Sequence, residues 1–424
     1  MNSITIHPGV LSGAVQVPTS KSFAQRAILL SALMEGKSRL SDVEKSADVL
    51  AMLSVAQQLG ATVLYLSNGD VEITGYGFPK KDCEIHCGES GLALRMLFPV
   101  CSVFEIKTTV TCEGSLRNRP VDFMSPSLQD MGAKISKKEN GIYEIQGPIE
   151  LKSLKVDGRE GSQFISGLLM AYALKHAKDF SITVQNLVSE DYVRMTLDVI
   201  RHFGFSIEHP QKNIWFFPKQ NEKLAPLNYK IEGDWSAAAM LLVAAALGGD
   251  GVNINGLNFF SRQPDKQILD VFKQAEIDFS IEKRSIQINA SKPLAFTFDA
   301  TDCPDLFPPL VALAAASEGV SEIKGVNRLY TKESNRFETL WQEFQKLGIK
   351  IWEQNNSLLI SNQGALSEEP LDSHNDHRIA MALTIFVLSQ KKSRTLMGYD
   401  CVKKSYPNFF SDLEKLGAKF NRNT

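Results

Sequence analysis

The sequence predicts an α/β protein built from six copies of one β-α-β-α-β-β repeat. In each copy a helical pattern ends in a short apolar-Gly-apolar step, and successive steps are 72, 72, 72, 72 and 69 residues apart. The steps fall at Gly60, Gly132, Gly204, Gly348 and Gly417, with Glu276 where a sixth glycine is expected. A strand, a polar turn and a second strand follow in the first five copies, whereas the C-terminus cuts the sixth short. A fixed period of this length indicates one supersecondary unit used repeatedly.

Each repeat contributes two helices of different character. One is amphipathic and is expected on the outside, as in residues 51–60 (AMLSVAQQLG). The other is apolar almost throughout, as in residues 235–247 (WSAAAMLLVAAAL), and is expected to be enclosed. A Ser or Asp marks the start of each enclosed helix, because these side chains accept a free backbone N–H of the first turn. The predicted caps are Ser20, Ser90, Ser162, Asp234, Asp305 and Asp376.

The number of repeats predicts two similar lobes. A single repeat has apolar faces that it cannot bury alone, so the copies must pack together. Six copies divide most naturally into three and three. The polar, proline-containing stretch at 218–228 (PKQNEKLAPLN) is the expected linker.

Composition excludes several classes of protein. The 46 basic and 48 acidic residues argue against a nucleic-acid-binding protein, which usually carries a basic excess. The longest apolar stretches, such as residues 237–247, fall short of the ~20 residues that span a membrane. The N-terminal residues do not have the pattern of a signal peptide. Six cysteines without paired spacing suit a reducing compartment, so we expect a cytoplasmic protein, and a monomer.

Cationic and hydroxyl side chains gather where the enclosed helices begin. A helix N-terminus has free N–H groups and roughly half a positive charge, so it favours anions. The residues at these starts are Lys21, Ser22, Arg26, Gly91, Arg95, Ser162, Gln163, Asp305, His377 and Arg378, and loops add Arg119, Lys332, Glu333, Arg336 and Lys404. Arg and Lys beside Gly and hydroxyl residues commonly hold phosphate and carboxylate groups. Their recurrence at one phase of the repeat predicts a site for anionic small molecules.

Each of these features alone has an ordinary alternative. A Lys-Ser pair is common at the start of a surface helix, and Asp305 is equally a helix cap. His377 is equally a structural histidine or, with His374, a weak metal pair. Cys83 and Cys87 fall on one face of a predicted strand and His86 on the other, so buried thiols explain them better than a metal. No metal site is expected.

The motifs SKSFAQRA, SGLALR, NRP, SQF, DYV, KESNR, NDHRIAMA and KKSYP, in this order, resemble those of the EPSP synthase (3-phosphoshikimate 1-carboxyvinyltransferase) family of enolpyruvyl transferases. The resemblance covers nearly the whole chain. It implies two lobes of three βαβαββ repeats each, an inside-out α/β barrel, with the active site in the cleft between the lobes. It also implies that the N-terminal strand joins the C-terminal lobe, which gives residues 1–19 and 229–424 as lobe I and residues 20–228 as lobe II.

The resemblance implies an addition–elimination reaction of the shikimate pathway, which leads to chorismate and the aromatic amino acids. The enolpyruvyl group of phosphoenolpyruvate passes to the 5-hydroxyl of shikimate 3-phosphate, and phosphate is released without a metal or an organic cofactor. The implied shikimate 3-phosphate ligands are Lys21, Ser22, Arg26, Ser162, Gln163, Ser189, Tyr192, Asp305 and Lys332. Those of phosphoenolpyruvate are Lys21, Gly91, Arg119, Gln163, Arg336, Arg378 and Lys404. Asp305 is implied as the base at the 5-hydroxyl and Glu333 as the group that moves protons at C3, while Lys21 and His377 assist.

Several positions depart from the family pattern. Leu92 follows Gly91 where Thr is common, and Glu89 stands where Asn is usual. The remaining departures are Gly161 for Ser, Arg328 for Asn and Asn335 for Asp. None removes a charged catalytic group, but Leu92 leaves the response to glyphosate open.

Two other functions compete with this interpretation. The first is the sister transferase acting on UDP-N-acetylglucosamine, which uses Lys-Asn near its N-terminus and a loop cysteine just before its phosphoenolpyruvate-binding Arg. Here the pair is Lys21-Ser22, and Cys112 lies seven residues before Arg119. The second is a non-catalytic repeat protein that binds anions, in which replacing Asp305 changes only stability.

Overall fold

The computed structural model describes residues 2–219 and 228–423, so most of the expected linker, residues 220–227, lies outside the described residues. Its twelve α-helices are α1 Lys21–Leu33, α2 Ala47–Gln58, α3 Gly91–Ser102, α4 Ser125–Gln129, α5 Ser162–Leu174, α6 Glu190–His202, α7 Trp235–Gly248, α8 Ile268–Gln274, α9 Phe307–Ala316, α10 Arg336–Lys346, α11 His377–Leu388 and α12 Phe409–Lys415. Among these residues, no helix is long and apolar enough to cross a membrane.

The strands are short and numerous. In chain order they are β1 Ser3–His7, β2 Leu11–Gln16, β3 Gly36–Ser41, β4 Thr62–Tyr65, β5 Val71–Gly75, β6 Cys83–His86, β7 Lys107–Thr111, β8 Lys134–Lys138, β9 Ile142–Gln146, β10 Leu154–Asp157, β11 Phe180–Gln185, β12 Glu208–Gln211, β13 Ile214–Phe217, β14 Asn228–Lys230, β15 Gly249–Asn255, β16 Phe279–Glu282, β17 Ser285–Ile288, β18 Thr297–Asp299, β19 Ser321–Lys324, β20 Lys350–Gln354, β21 Ser357–Ser361, β22 Leu371–Asp372, β23 Arg394–Met397 and β24 Lys419–Asn423.

The strands form six four-stranded sheets of one design, which confirms the predicted repeat. In the order β10-β11-β13-β12, for example, the first pair is parallel and the other two pairs are antiparallel. In the second, third and fifth repeats a hairpin therefore follows a parallel crossover, as the βαβαββ pattern requires.

Three sheets are completed by strands distant in the chain. β14 pairs with β3 in the first repeat, and β2 pairs with β15 in the fourth. β1 lies between β23 and β24 and supplies the strand that the truncated sixth copy lacks. Its sequence SITIH buries Ile4 and Ile6, the alternation expected of a strand with one face on the core.

The chain divides into two compact units. Unit 1 comprises Met1–Pro18 and Gly233–Thr424, and unit 2 comprises Thr19–Glu232. Each unit has its own hydrophobic core. In unit 2 the core helices α1, α3 and α5 contact one another, and in unit 1 α7, α9 and α11 do the same. These six are the apolar helices predicted to be enclosed, and their side chains are buried nearly throughout.

The repeated step is a residue in the left-handed conformation just after the second helix of each repeat. All five glycines and Glu276 have positive φ, from 55° at Glu276 to 103° at Gly132. This conformation ends a helix by redirecting the chain, and glycine adopts it without a Cβ penalty. The period in the sequence therefore reflects the same left-handed backbone conformation at six equivalent positions.

The predicted helix caps are only partly correct. Ser90, Asp234 and Asp376 each accept a backbone N–H of the first turn, whereas Ser20 precedes α1 without a side-chain cap bond. Ser162 is not a cap, because α5 begins at this residue and Gly161, with φ of 111°, precedes it. Asp305 is not a cap either: it lies in a 3-10 turn, Pro304–Leu306, ahead of α9.

Candidate active site

A buried guanidinium links the first enclosed helix of unit 2 to α6. Arg26, 1% exposed, donates from Nε to Thr196 Oγ1 at 2.7 Å, and its terminal nitrogens donate to the backbone oxygens of Ser22 at 2.7 Å and Tyr192 at 3.2 Å. Ser189, which precedes α6 with φ of 58°, accepts the Tyr192 N–H. Burial lowers the pKa of Arg26 to about 10, so the group stays charged at neutral pH. The structure thus brings four predicted residues together, Ser22, Arg26, Ser189 and Tyr192.

Lys21 opens α1 and is paired with a carboxylate that sequence reasoning missed. Its Nζ lies 2.7 Å from Asp48 Oδ2, and both side chains are largely buried. Asp48 stands in the first turn of α2, where an acidic residue is ordinary because it favours the positive end of a helix. Because Asp48 is expected at this position of a helix in any case, the sequence did not indicate that it pairs with Lys21.

A second group of unit 2 surrounds the start of α3. A Cβ at Gly91 would lie 3.1 Å from Arg119 Nη1 and 3.5 Å from Arg95 Nη1, so glycine allows both guanidinium groups to approach the backbone. Arg95 also donates to Gln163 Oε1 at 2.7 Å, which fixes the orientation of this amide at the start of α5. Ser162, the neighbour of Gln163, is 5% exposed.

In unit 1 the carboxylate of Asp305 forms ion pairs with three cationic side chains. Asp305 Oδ1 lies 3.1 Å from Arg336 Nη1 and 3.8 Å from Lys332 Nζ, and its Oδ2 lies 2.8 Å from Arg378 Nη2. These cations come from separate elements, because Lys332 belongs to a loop, Arg336 opens α10 and Arg378 belongs to the first turn of α11. Asp305 itself is 26% exposed at its side chain, so it remains reachable from solvent.

Arg336 binds two further carboxylates. Its Nη2 lies 2.6 Å from Glu333 Oε2, and its Nε lies 2.8 Å from Asp376 Oδ2. Asp376 is fully buried, receives a bond from Ser334, and caps α11 by accepting the Arg378 N–H at 3.0 Å. The sequence marked Asp376 only as a cap, although the NDHR motif carried the signal for a larger role.

The electrostatics of this network are finely balanced. Burial raises the pKa of Asp305, but the charges of Arg378, Lys332 and Arg336 outweigh it and hold the pKa well below its usual range. Burial, with help from Arg336, lowers the pKa of Lys332 to about 8 although Asp305 opposes this. Three carboxylates, Asp305, Glu333 and Asp376, thus offset the three cations Lys332, Arg336 and Arg378.

His377 and Lys404 lie on neighbouring parts of unit 1. His377 is 1% exposed, and its Nδ1 lies 3.8 Å from Asp376 Oδ1, beyond hydrogen-bond distance. Lys404 ends a 3-10 helix, Tyr399–Lys404, that contacts α11. The alternative metal partner, His374, has its Nε2 2.9 Å from Glu343 Oε1. In the described part of the chain, no group of three or more His, Cys, Asp or Glu could hold a metal ion.

The six-repeat fold and these charged clusters are typical of enolpyruvyl transferases. The family model described as EPSP synthase (3-phosphoshikimate 1-carboxyvinyltransferase) matches residues 6–413. The chain therefore belongs to the EPSP synthase family, and the predicted enzyme class, enolpyruvyl transfer in the shikimate pathway, is confirmed.

Individual relatives agree with this membership. A 3-phosphoshikimate 1-carboxyvinyltransferase of Clostridium acetobutylicum is 36% identical over 423 residues, which cover 99% of this chain and 98% of the relative. An EPSP synthase structure from Acinetobacter baumannii superposes with a TM-score of 0.83 at 25% identity, over 100% of both chains. The enolpyruvyl transferase NikO of Streptomyces tendae, at 18% identity and a TM-score of 0.81 over 100% of this chain and 99% of its own, agrees in fold alone.

Proposed function

We propose that this chain transfers the enolpyruvyl group of phosphoenolpyruvate to the 5-hydroxyl of shikimate 3-phosphate and releases phosphate. The observation that carries the proposal is the network in which Asp305 joins Lys332, Arg336 and Arg378. One potential base is thereby placed among cations that can receive phosphate and carboxylate groups.

We further propose the division of residues between the two substrates. Lys21, Ser22, Arg26, Ser162, Gln163, Ser189, Tyr192, Asp305 and Lys332 bind shikimate 3-phosphate. Lys21, Gly91, Arg119, Gln163, Arg336, Arg378 and Lys404 bind phosphoenolpyruvate. Two features support this division: the bonds that join Ser22, Arg26, Ser189 and Tyr192 in unit 2, and the close approach of Arg119 to Gly91.

The ion pairs of Asp305 suggest how this residue acquires basicity. Its ion pairs with Arg336 and Arg378 stabilise the carboxylate and weaken it as a base. Phosphoenolpyruvate brings its own phosphate and carboxylate to these cations, and competition for their N–H groups raises the affinity of Asp305 for a proton. Substrate binding therefore activates the base.

The proton transfers then follow the addition–elimination course. Asp305 takes the 5-hydroxyl proton as that oxygen bonds to C2 of phosphoenolpyruvate. C3 gains a proton from the protonated form of Glu333, which arises when phosphoenolpyruvate competes for Arg336, and Lys21 assists. The tetrahedral intermediate returns a proton from C3 to Glu333, the bond between C2 and the phosphate oxygen breaks, and the departing phosphate takes the proton held by Asp305. His377 and Lys404 stabilise the departing group.

Replacing the base tests the assignment. Asp305→Asn keeps the size of the side chain but cannot accept the proton as a carboxylate does, so kcat should fall about 10²–10⁴-fold. Asp250→Asn, at an exposed residue of β15, is the matched control and should leave kcat unchanged. Wild-type turnover in a folded Asp305→Asn variant would refute the role of Asp305 and require a different residue as the base.

The acceptor and the state of the protein complete the proposal. Turnover is expected with shikimate 3-phosphate and not with UDP-N-acetylglucosamine; the reverse result would establish the sister activity. We also propose that the protein acts as a monomer in the cytoplasm, since a single chain supplies every assigned residue. Sedimentation at micromolar concentration showing a stable dimer would contradict the monomer.

A further inference from the structure

The segment that leads into α11 is fastened to α10 by side chains without a role in the proposed substrate site. Glu343, 1% exposed, lies two turns after Arg336 on α10. Its Oε2 accepts the Asp372 backbone N–H at 2.9 Å, and its Oε1 lies 2.9 Å from His374 Nε2. Residues seven apart share one face of a helix, so Arg336 and Glu343 reach the same segment from one side of α10.

Lys346 completes this anchor. Its Nζ lies 2.9 Å from both carboxylate oxygens of Glu343 and donates to the Pro370 backbone oxygen at 3.2 Å. Burial raises the pKa of Glu343, but the bonds from His374, Lys346 and the Asp372 N–H lower it overall. The bond with Glu343 in turn raises the pKa of His374. Both shifts favour the charged pair.

The anchored segment has a backbone that needs support. His374 and Asn375 have φ of 50° and 54°, consecutive left-handed conformations that side-chain-bearing residues adopt at a cost. Asp372 Oδ1 accepts the His374 N–H at 2.7 Å inside the turn. The turn ends at Asp376, which binds Arg336 and caps the helix that carries Arg378.

We propose that Glu343 is a positioning residue for enolpyruvyl transfer, which fixes the turn at residues 372–376 and thereby orients Asp376 and Arg378. Two side chains of α10 contact this turn, one at each end. Glu343 contacts Asp372 and His374 at the first end, and Arg336 contacts Asp376 at the second. Glu343 has no contact with substrate in this scheme. The inference rests on the proposed function, because Arg336 and Arg378 are assigned there to phosphoenolpyruvate.

Amide hydrogen exchange of the Glu343→Gln variant tests the anchor directly. Gln keeps the size and can still accept the Asp372 N–H, but it loses the charge that pairs with His374 and Lys346. Glu144→Gln is the matched control, because Glu144 also pairs with two cations, Lys107 and Lys138, both at 2.6 Å. Exchange in residues 372–380 should become about tenfold faster in Glu343→Gln alone, while α3 and α7 exchange as in the wild type. Unchanged exchange at 372–380, or equal acceleration everywhere, overturns the proposal.

Kinetics supply the functional half of the test. The KM for phosphoenolpyruvate should rise about 10–100-fold in Glu343→Gln, by analogy with residues that orient metal ligands, whose replacement has an effect of this size. The KM for shikimate 3-phosphate should change far less, a separation that general destabilisation does not produce. His374→Asn, which suits the left-handed backbone, should give a smaller rise of the same kind. If Glu343→Gln exchanges faster at 372–380 but keeps a normal KM for phosphoenolpyruvate, the positioning role is overturned. If the wild-type protein shows no turnover, the proposed function is refuted, and the exchange experiment alone decides whether Glu343 anchors the turn.

Discussion

The lowered pKa of Lys332 predicts an alkaline limb in the pH dependence of the enzyme. With a pKa of about 8, about nine-tenths of the Lys332 side chains are protonated at pH 7 and about one-tenth at pH 9. Lys332 is assigned to shikimate 3-phosphate, so losing its charge removes a charge-assisted contact. We therefore expect kcat/KM for shikimate 3-phosphate to be level below pH 7.5 and to fall about tenfold per pH unit above pH 8.

The contribution of Lys332 to the stability of the fold should increase with pH while activity decreases. A loss of activity at high pH can therefore be distinguished from unfolding. The folded pKa of Lys332 lies below its ordinary value of 10.5, so the unfolded chain binds more protons between these two values. The contribution of Lys332 to stability therefore rises with pH across this window, while activity falls.

Continuous phosphate-release assays from pH 6 to 9.5 measure the limb. Lys332→Arg keeps its charge throughout this range and should abolish the limb, even if the planar group lowers the absolute rate. Lys273→Arg, at an exposed residue paired with Asp270, should leave the limb in place. A wild-type profile that stays level to pH 9.5, or a limb that persists in Lys332→Arg, would refute the reasoning.

Three further predictions follow from single positions. Glu276→Gly should stabilise the protein by about 0.5–1 kcal/mol in thermal unfolding, because glycine relieves a left-handed residue, whereas Glu276→Ala should bring no gain. Ser90→Ala should lower the free energy of unfolding by about 1–2 kcal/mol, because Ser90 both caps α3 and donates to the buried side-chain amide of Gln25. Ser20→Ala is the control: Ser20 precedes α1 without a side-chain cap bond, so its replacement should change the free energy of unfolding very little. Gly91→Ala should raise the KM for phosphoenolpyruvate because its Cβ crowds Arg119; an unchanged KM would contradict the assigned contact.

The repeat was predictable because one backbone requirement leaves a mark in the sequence. A left-handed residue after a helix selects glycine, so the step is visible five times out of six, and even Glu276 keeps the conformation. The apolar helices were equally visible, since burial on all sides removes their polar face. The pairing of strands distant in the chain was not predictable from the strands themselves. β1, β2 and β14 are short, and nothing in their sequences specifies which repeat each one completes.

The site was predictable in its cations and less so in its acids. Lys21 and Arg378 stood out by their recurrence at helix starts, and Arg336 stood out in the KESNR loop motif. Asp48 and Glu343, by contrast, lie within amphipathic helices, where acidic residues are ordinary. Their partners are distant in the chain, and only folding brings them together. Asp305 shows the converse, because a position expected to cap a helix holds an ion-paired carboxylate.

Phosphate release on mixing both substrates tests the central claim most directly. The purified chain should liberate inorganic phosphate from phosphoenolpyruvate only when shikimate 3-phosphate is present, one equivalent for each enolpyruvyl group transferred, and without added metal. A folded protein that releases no phosphate with this pair, or that does so with UDP-N-acetylglucosamine in place of shikimate 3-phosphate, would contradict the account.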